Sequence, residues 1–144
     1  MNHAPDTNIL LCLRQPDHPQ WAACTRAIGA LIERGDCICL LPQTLYEFWN
    51  VSTRPKMYNG LGQSAAEVFV AVTDLQNQYT TLYDSVAIYQ EWLSLVRSCN
   101  VMGAEVHDAR IAAAVRVHKF DSLISYNVKD FKRYGIKVIH PRDV

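Results

Sequence analysis

The chain has 144 residues, which is enough for one domain with a sizeable core but too few for two. Hydrophobic residues make up 49% and charged residues 19% of it, close to globular averages, so a disordered chain is excluded. No apolar run approaches the roughly 20 residues of a membrane span. Residues 1–5 lack both the basic and the apolar parts of a signal peptide. We therefore expect a single domain over residues 1–144, located in the cytoplasm.

The formal charge is zero overall but unevenly distributed. Residues 1–107 hold six Lys or Arg and ten Asp or Glu, a net charge of −4, whereas residues 108–144 hold eight and four, a net charge of +4. The basic side chains that we group as a predicted rim are Arg110, Arg116, Lys119, Lys129, Lys132 and Arg133. Such a rim is either an ordinary solvated surface or a surface that binds polynucleotide phosphates without reading sequence.

The five cysteines are odd in number, form no C-x-x-C pair and mostly have apolar neighbours. This pattern favours buried, reduced thiols over a disulfide framework or a zinc site.

Short strand-like runs alternate with longer helical runs along the chain, which is typical of an α/β domain with a parallel sheet. Apolar runs predict strands over residues 37–41, 80–83, 122–126 and 137–139. Apolar periodicity predicts helices over residues 19–32, 43–51, 64–76, 86–98 and 107–118. Ser64 and Glu67 match a capping box at the start of the third of these helices.

Four carboxylates lie near the ends of these predicted elements: Asp6, Glu47, Asp108 and Asp130. In open parallel α/β sheets, ligands bind outside the carboxyl ends of the strands, so the four acids are expected to meet there. Carboxylates brought together need a cation, and Mg²⁺ or Mn²⁺ prefers oxygen ligands and leaves room for a phosphate. The pattern indicates a metal-dependent phosphodiesterase, with RNA as the favoured substrate.

Each acid also has a purely structural interpretation. Asp6 could cap a turn, Asp108 could favour the first turn of a helix, and Asp130 could cap a short turn. Glu47 lies among apolar residues, where an unpaired carboxylate is costly. We prefer the metal-ligand interpretation for Asp6, Glu47 and Asp108, and leave Asp130 open between the two.

Several polar residues near these acids could orient a ligand or hold a metal-bound water, and each could equally form a turn. They are Thr7, Asn8 and Asn127. Arg110 could either attract a phosphate or pair with an acid of the core. No histidine has metal-binding spacing, and the lack of an obvious catalytic His or Lys suits metal chemistry.

In order and spacing, four segments resemble the PIN domain family and, within it, the VapC-type toxin ribonucleases of bacterial toxin–antitoxin pairs. These segments are Asp6-Thr7-Asn8, Glu47 early in a helix, His107-Asp108-Ala109-Arg110, and Asn127-Val128-Lys129-Asp130-Phe131. The resemblance extends over nearly the whole chain. It implies a three-layer α/β/α sandwich with a central, mostly parallel sheet.

The resemblance also implies an endoribonuclease that uses Mg²⁺ or Mn²⁺, a cognate antitoxin of a type II pair, and frequent homodimers. By position, Asp6, Glu47 and Asp108 correspond to the metal-site acids of the family. The fourth family position falls at Asn127, with Asp130 three residues later, and either could complete the site. On this interpretation Lys129, Lys132 and Arg133 would contact the RNA.

One departure from the family pattern concerns the start of the chain. Only residues 1–5 precede Asp6, and Pro5 cannot donate a ladder hydrogen bond, so the first strand is expected to be short or frayed. This motivates an alternative, a catalytically weakened PIN module that acts as a binding protein. A phosphoryl-receiver domain is a third possibility, but it needs adjacent acids after the first strand, and Asp6 stands alone.

The segment 45–58 is rich in apolar and aromatic side chains, including Tyr46, Phe48, Trp49 and Met57. Because exposed apolar patches mark interfaces, this content predicts a homodimer and an antitoxin that covers a groove near the site.

Overall fold

The structure is a computed structural model that describes residues 1–144. Its centre is a five-stranded sheet in the order β3-β2-β1-β4-β5, and every neighbouring pair is parallel. The strands are β1 (Asn2–Pro5), β2 (Cys37–Leu40), β3 (Thr80–Thr81), β4 (Ser122–Ile124) and β5 (Val138–Ile139). The prediction of a mostly parallel sheet is therefore confirmed, and the sheet is parallel throughout.

Six α-helices connect the strands, and several begin with recognisable capping signals. They are α1 (Thr7–Leu13), α2 (Trp21–Glu33), α3 (Pro42–Thr53), α4 (Ala65–Gln78), α5 (Val86–Ser98) and α6 (Glu105–Val117). Pro42 occupies the first turn of α3, where its missing N–H costs no hydrogen bond. Ser64 and Glu67 form the predicted capping box of α4. Short 3-10 helices span Lys56–Tyr58, Val128–Tyr134 and Pro141–Asp143.

The helices form one layer on each side of the sheet, because alternate strand residues face opposite ways. Ile38 and Leu40 of β2 pack with α1, α2, α3 and α4 on one face. Cys39 and Leu41 pack with α5 and α6 on the other face. Four consecutive small or β-branched residues of α6, 112–115, are almost completely buried, which lets this helix lie close to the sheet. The predicted three-layer α/β/α sandwich is confirmed.

The first strand spans four residues, as many as β2, and pairs on both sides, so the expectation of a frayed β1 is wrong. It lies in the middle of the sheet, and His3, Ala4 and Pro5 are all buried. Its pairing with β2 ends at His3, so the missing N–H of Pro5 lies beyond that ladder. On the other side, the Asp6 amide donates to the Ile124 carbonyl at 2.9 Å. The reason for suspecting a weakened module therefore does not hold.

Several predicted boundaries shift by one to three residues. The strand predicted over 122–126 ends at Ile124, and the helix predicted from His107 begins at Glu105. Among the cysteines, Cys12, Cys24 and Cys39 are buried and all five are free, but Cys37 is exposed, contrary to the prediction of buried thiols. No helix is both long and apolar enough to span a membrane.

Candidate metal and phosphodiester site

The site lies at the carboxyl edge of the sheet, directly after the central strand. Asp6 follows β1 and serves as the N-cap of α1, where its Oδ1 accepts a hydrogen bond from the Thr7 amide at 2.7 Å. Its Oδ2 accepts from the Ser125 hydroxyl at 2.6 Å and from Asn8 Nδ2 at 2.9 Å. The structural role as a cap and a role in the site are therefore not alternatives, because one carboxylate can serve both.

Burial raises the pKa of Asp6 above its ordinary value, because the charged form loses water. The hydrogen bonds from Ser125 and Thr7 act in the opposite direction, and the negative charge of Glu47 raises this pKa further. The hydrogen bonds thus fix the orientation of the Asp6 carboxylate, although the negative charge of Glu47 lies nearby.

Ser125 was not among the sequence-predicted site residues. It is completely buried, and it also accepts hydrogen bonds from Asn8 Nδ2 at 3.1 Å and from the Asn127 amide at 3.0 Å. Apolar periodicity placed it inside a strand that ends one residue earlier. The position of Ser125 follows from strand pairing. Because β4 lies beside β1, the residue that follows β4 lies beside Asp6, which follows β1.

Glu47 projects from the second turn of α3 toward Asp6, and both of its oxygens accept hydrogen bonds. Thr7 Oγ1 donates to Glu47 Oε2 at 2.8 Å, and Gln43 Nε2 donates to Glu47 Oε1 at 2.8 Å. Gln43, which the sequence analysis also missed, is one helical turn before Glu47 and is 6% exposed. Helix α3 therefore presents a carboxylate whose orientation is defined from two sides.

Asp108 lies in the first turns of α6 and is half-buried. Its pKa is raised to about 6, first by burial and then by the negative charges of Asp6, Asp130 and Glu47. Hydrogen bonds do not offset this effect as they do at Asp6. Four acids that are far apart in sequence thus share one electrostatic environment, and it raises the pKa of both Asp108 and Asp6.

Asp130 and Asn127 differ in how they reach the site. Asp130 is exposed in the 3-10 helix Val128–Tyr134, and its negative charge acts on Asp108. Asn127 is also exposed, and it contributes through its backbone amide to Ser125. Asn8 bridges the two strands, because its Oδ1 accepts from the Tyr126 amide at 3.3 Å.

The atoms that could ligate a metal ion indicate whether a divalent cation fits this edge. No three His, Cys, Asp or Glu side chains are already arranged to coordinate one ion. The acids nevertheless offer only oxygen donors, which suit Mg²⁺ and Mn²⁺, and a cation would relieve the repulsion that raises the Asp108 pKa. The residue chemistry therefore fits a hard cation, although the side chains would have to close around it.

The predicted basic rim is divided between paired and free cations. Three arginines form ion pairs: Arg110 with Asp84, Arg116 with Glu91, and Arg133 with Glu105. Arg133 also lies over the Tyr134 ring, with 5.3 Å from its guanidinium carbon to the ring centroid. Lys129 and Lys132 are exposed in the same 3-10 helix as Asp130 and form no ion pair. These two lysines are the cations available beside the acids.

The chain was compared with known proteins. No protein-family profile matches it. It is 29% identical over 135 residues to Ribonuclease VapC24 of Mycobacterium tuberculosis, an alignment that covers 90% of this chain and 89% of that protein.

Solved structures share the fold over nearly the whole chain. VapBC2 from Rickettsia felis, bound to a DNA fragment of its promoter, superposes with a TM-score of 0.73 at 14% identity, covering 97% of this chain and 98% of that one. A toxin–antitoxin complex from Klebsiella pneumoniae has a TM-score of 0.69 at 20% identity, with 99% of both chains covered. The sarcin–ricin loop cleaving toxin VapC20 of M. tuberculosis has a TM-score of 0.67 at 17% identity, covering 93% and 95%.

Proposed function

Because this chain is a PIN-domain protein of the VapC type, as its motifs predicted, we propose that it is an Mg²⁺- or Mn²⁺-dependent endoribonuclease. We further propose that it is the toxin of a type II toxin–antitoxin pair. The observation that carries this proposal is the meeting of Asp6, Glu47, Asp108 and Asp130 at one sheet edge, where burial and then the charges of the other three raise the pKa of Asp108 to about 6. The related VapC24 bears the name of a ribonuclease, which agrees with such a site.

Asp6, Glu47 and Asp108 would hold the cation, and Asp130 lies where it could contribute. When bound, the cation lowers the pKa of a water molecule and neutralises charge on the reacting phosphate. Around it, Ser125 and Asn8 keep Asp6 Oδ2 in place, and Thr7 orients Glu47. Asp108, which lacks comparable hydrogen bonds, is the acid that gains most from a cation.

A polynucleotide suits this edge better than a mononucleotide. Asp130 is exposed at this edge, and the exposed lysines 129 and 132 lie on the same 3-10 helix. Lysines beside such a site would contact backbone phosphates and contribute affinity that does not depend on sequence. RNA is the substrate class that we infer.

The direct test is cleavage of RNA by the purified chain. With Mg²⁺ or Mn²⁺, single-stranded or looped RNA should be cut internally, giving fragments instead of mononucleotides on a denaturing gel. EDTA should stop the reaction and added Mg²⁺ should restore it. Undiminished cleavage in EDTA would contradict metal dependence, and no cleavage of any RNA would contradict the enzymatic function.

The antitoxin is proposed to cover an apolar groove between α3 and α4. The groove has a volume of about 670 Å³ and is lined by Leu45, Trp49, Phe69 and Val72, among others. Phe69 is 64% exposed, which is unusual for a side chain of its size. Glu47 lies on the same helix as Leu45 and Trp49, but none of the four acids lines this groove.

The proposed homodimer depends on exposed side chains of the segment 45–58. Tyr46, Met57 and Tyr58 are 66%, 79% and 64% exposed, whereas Phe48 is buried in the core, contrary to its place in the predicted patch. We expect light scattering to show a dimer and Met57→Asp to produce a monomer. Met102→Asp, at a methionine outside the segment that is 70% exposed, is the control and should remain dimeric. A wild-type monomer at all concentrations would contradict the prediction.

A further inference from the structure

Gln43 connects Glu47 to the opposite side of the site. Its Nε2 donates to Glu47 Oε1 at 2.8 Å and to the His107 carbonyl at 2.9 Å. His107 is the residue before Asp108, so one buried amide links the helix that carries Glu47 to the helix that carries Asp108. The side-chain amide thereby uses both of its N–H groups on the site.

Arg110 determines which way this amide faces. Arg110 Nη1 donates to Gln43 Oε1 at 2.8 Å, and Arg110 Nη2 donates to Asp84 Oδ2 at 2.6 Å. A guanidinium can only donate hydrogen bonds, so it requires the amide oxygen on its own side. If the amide turned over, its oxygen would face the Glu47 carboxylate and the His107 carbonyl, and all three contacts would be lost.

Both carboxylate oxygens of Glu47 consequently accept hydrogen bonds, and the residues that donate them are fixed by further contacts. Thr7, at the start of α1, fixes Oε2, and the series Asp84–Arg110–Gln43 fixes Oε1. Gln43 is 6% exposed, so water cannot readily replace the amide if it is removed. Arg110 therefore acts on the site through Gln43, and its charge is already paired with Asp84.

We propose that Gln43 and Arg110 are positioning residues that hold Glu47 in the orientation required for cation binding. The competing role for Arg110 is contact with an RNA phosphate, but its guanidinium already donates to Asp84 and Gln43. This inference rests on the proposed function, since it concerns the cation of that site. Residues that orient a metal ligand typically contribute roughly 10- to 100-fold in metal affinity or activity.

The test is Mn²⁺ binding to the RNA-free protein, measured by isothermal titration calorimetry. Gln43→Met and Arg110→Met should each raise the Kd for Mn²⁺ by roughly 10-fold or more. For Arg110→Met a higher Kd distinguishes positioning from charge. Removing a positive charge near the site removes its repulsion of Mn²⁺ and should by itself tighten cation binding, whereas loss of positioning weakens it. Tighter or unchanged Mn²⁺ binding by Arg110→Met would overturn the proposal.

Arg110→Lys separates the charge from the geometry. A lysine preserves the charge opposite Asp84, but a single ammonium lacks the planar fork that donates to Asp84 and Gln43 together. We expect Arg110→Lys to bind Mn²⁺ as weakly as Arg110→Met. Full affinity in the lysine variant would show that charge alone is needed, which also overturns the proposal.

Gln15→Met is the matched control. Gln15 is a partly buried glutamine whose Nε2 donates to the Leu11 carbonyl at 2.9 Å, and it contacts none of the acids. Its replacement should leave the Kd for Mn²⁺ unchanged. A loss equal to that of Gln43→Met would mean a general effect on the fold and would count against positioning. Should Gln43→Met fail to fold by circular dichroism, the Arg110 variants, altered at a side chain that is 33% exposed, decide the question.

Cleavage kinetics give a second readout. A positioning residue should lower kcat at saturating RNA and leave the salt dependence of RNA binding unchanged, whereas a phosphate contact should raise KM and reduce that dependence. A protein that binds Mn²⁺ but cuts no RNA would refute the proposed function while the Mn²⁺ affinities still test positioning. A wild type that binds no Mn²⁺ would refute both.

Discussion

Asp6→Ala and Asp108→Ala are expected to abolish RNA cleavage by the purified chain. Each substitution removes a carboxylate that we infer to hold the cation, and with it the activation of the attacking water. Replacing a residue that only orients a metal ligand can lower activity by roughly 100-fold. The cleavage rate of these two variants should fall by more than that. Initial rates on one RNA substrate, measured at saturating Mn²⁺ for wild type and both variants, give the comparison.

Lys132→Ala is the matched control, because it changes a side chain next to the acids but leaves all four carboxylates in place. Lys132 is exposed and forms no ion pair, so its loss should remove one phosphate contact. RNA binding should weaken, and the slope of log affinity against log salt should decrease by about 1, while kcat stays near the wild-type value. Robust cleavage by Asp108→Ala would exclude the proposed mechanism, whatever Lys132→Ala does.

In the absence of metal, the melting temperature should fall as the pH rises from about 4 to about 7. The pKa of Asp108 is about 6 in the folded chain and near 3.8 in an unfolded one. Between these values the folded chain holds a proton that the unfolded chain has lost, so the free energy of unfolding decreases as pH rises. The raised pKa of the buried Asp6 acts in the same direction. Differential scanning calorimetry in EDTA across this range provides the measurement.

Mn²⁺ should reverse this loss of stability. A cation that binds only the folded state at 100 times its Kd stabilises by about 2.7 kcal/mol, which raises the Tm of a domain of this size by roughly 5–10 °C. Because Mn²⁺ competes with the proton on Asp108, its stabilising effect should grow as the pH passes about 6. Asp108→Asn should reduce both the pH dependence in EDTA and the gain from Mn²⁺. If neither protein responds to Mn²⁺, the shared cation site is wrong.

The amino-acid sequence alone determined the architecture and the acids that meet in it. Alternation of short apolar runs with amphipathic helices predicted the α/β sandwich, because residue periodicity depends on local geometry. The same pattern placed Asp6, Glu47 and Asp108 near the carboxyl edge of a parallel sheet, where polar residues of sequence-distant elements converge. Their common electrostatic environment in the structure agrees with that placement.

Only the tertiary structure decided what surrounds these acids. The contacts of Ser125 with Asp6, and of Gln43 with Arg110, join residues 119 and 67 positions apart, and no local pattern encodes such partners. The pairing of Arg133 with Glu105 likewise depends on how helix α6 packs against the turn after β4. Pro5 appeared incompatible with a central strand, yet it is the last residue of β1, where pairing with β4 continues and pairing with β2 has already ended at His3. Local propensity and periodicity can be read along the chain, whereas hydrogen-bond partners and free charges depend on distances that exist only once the layers have packed.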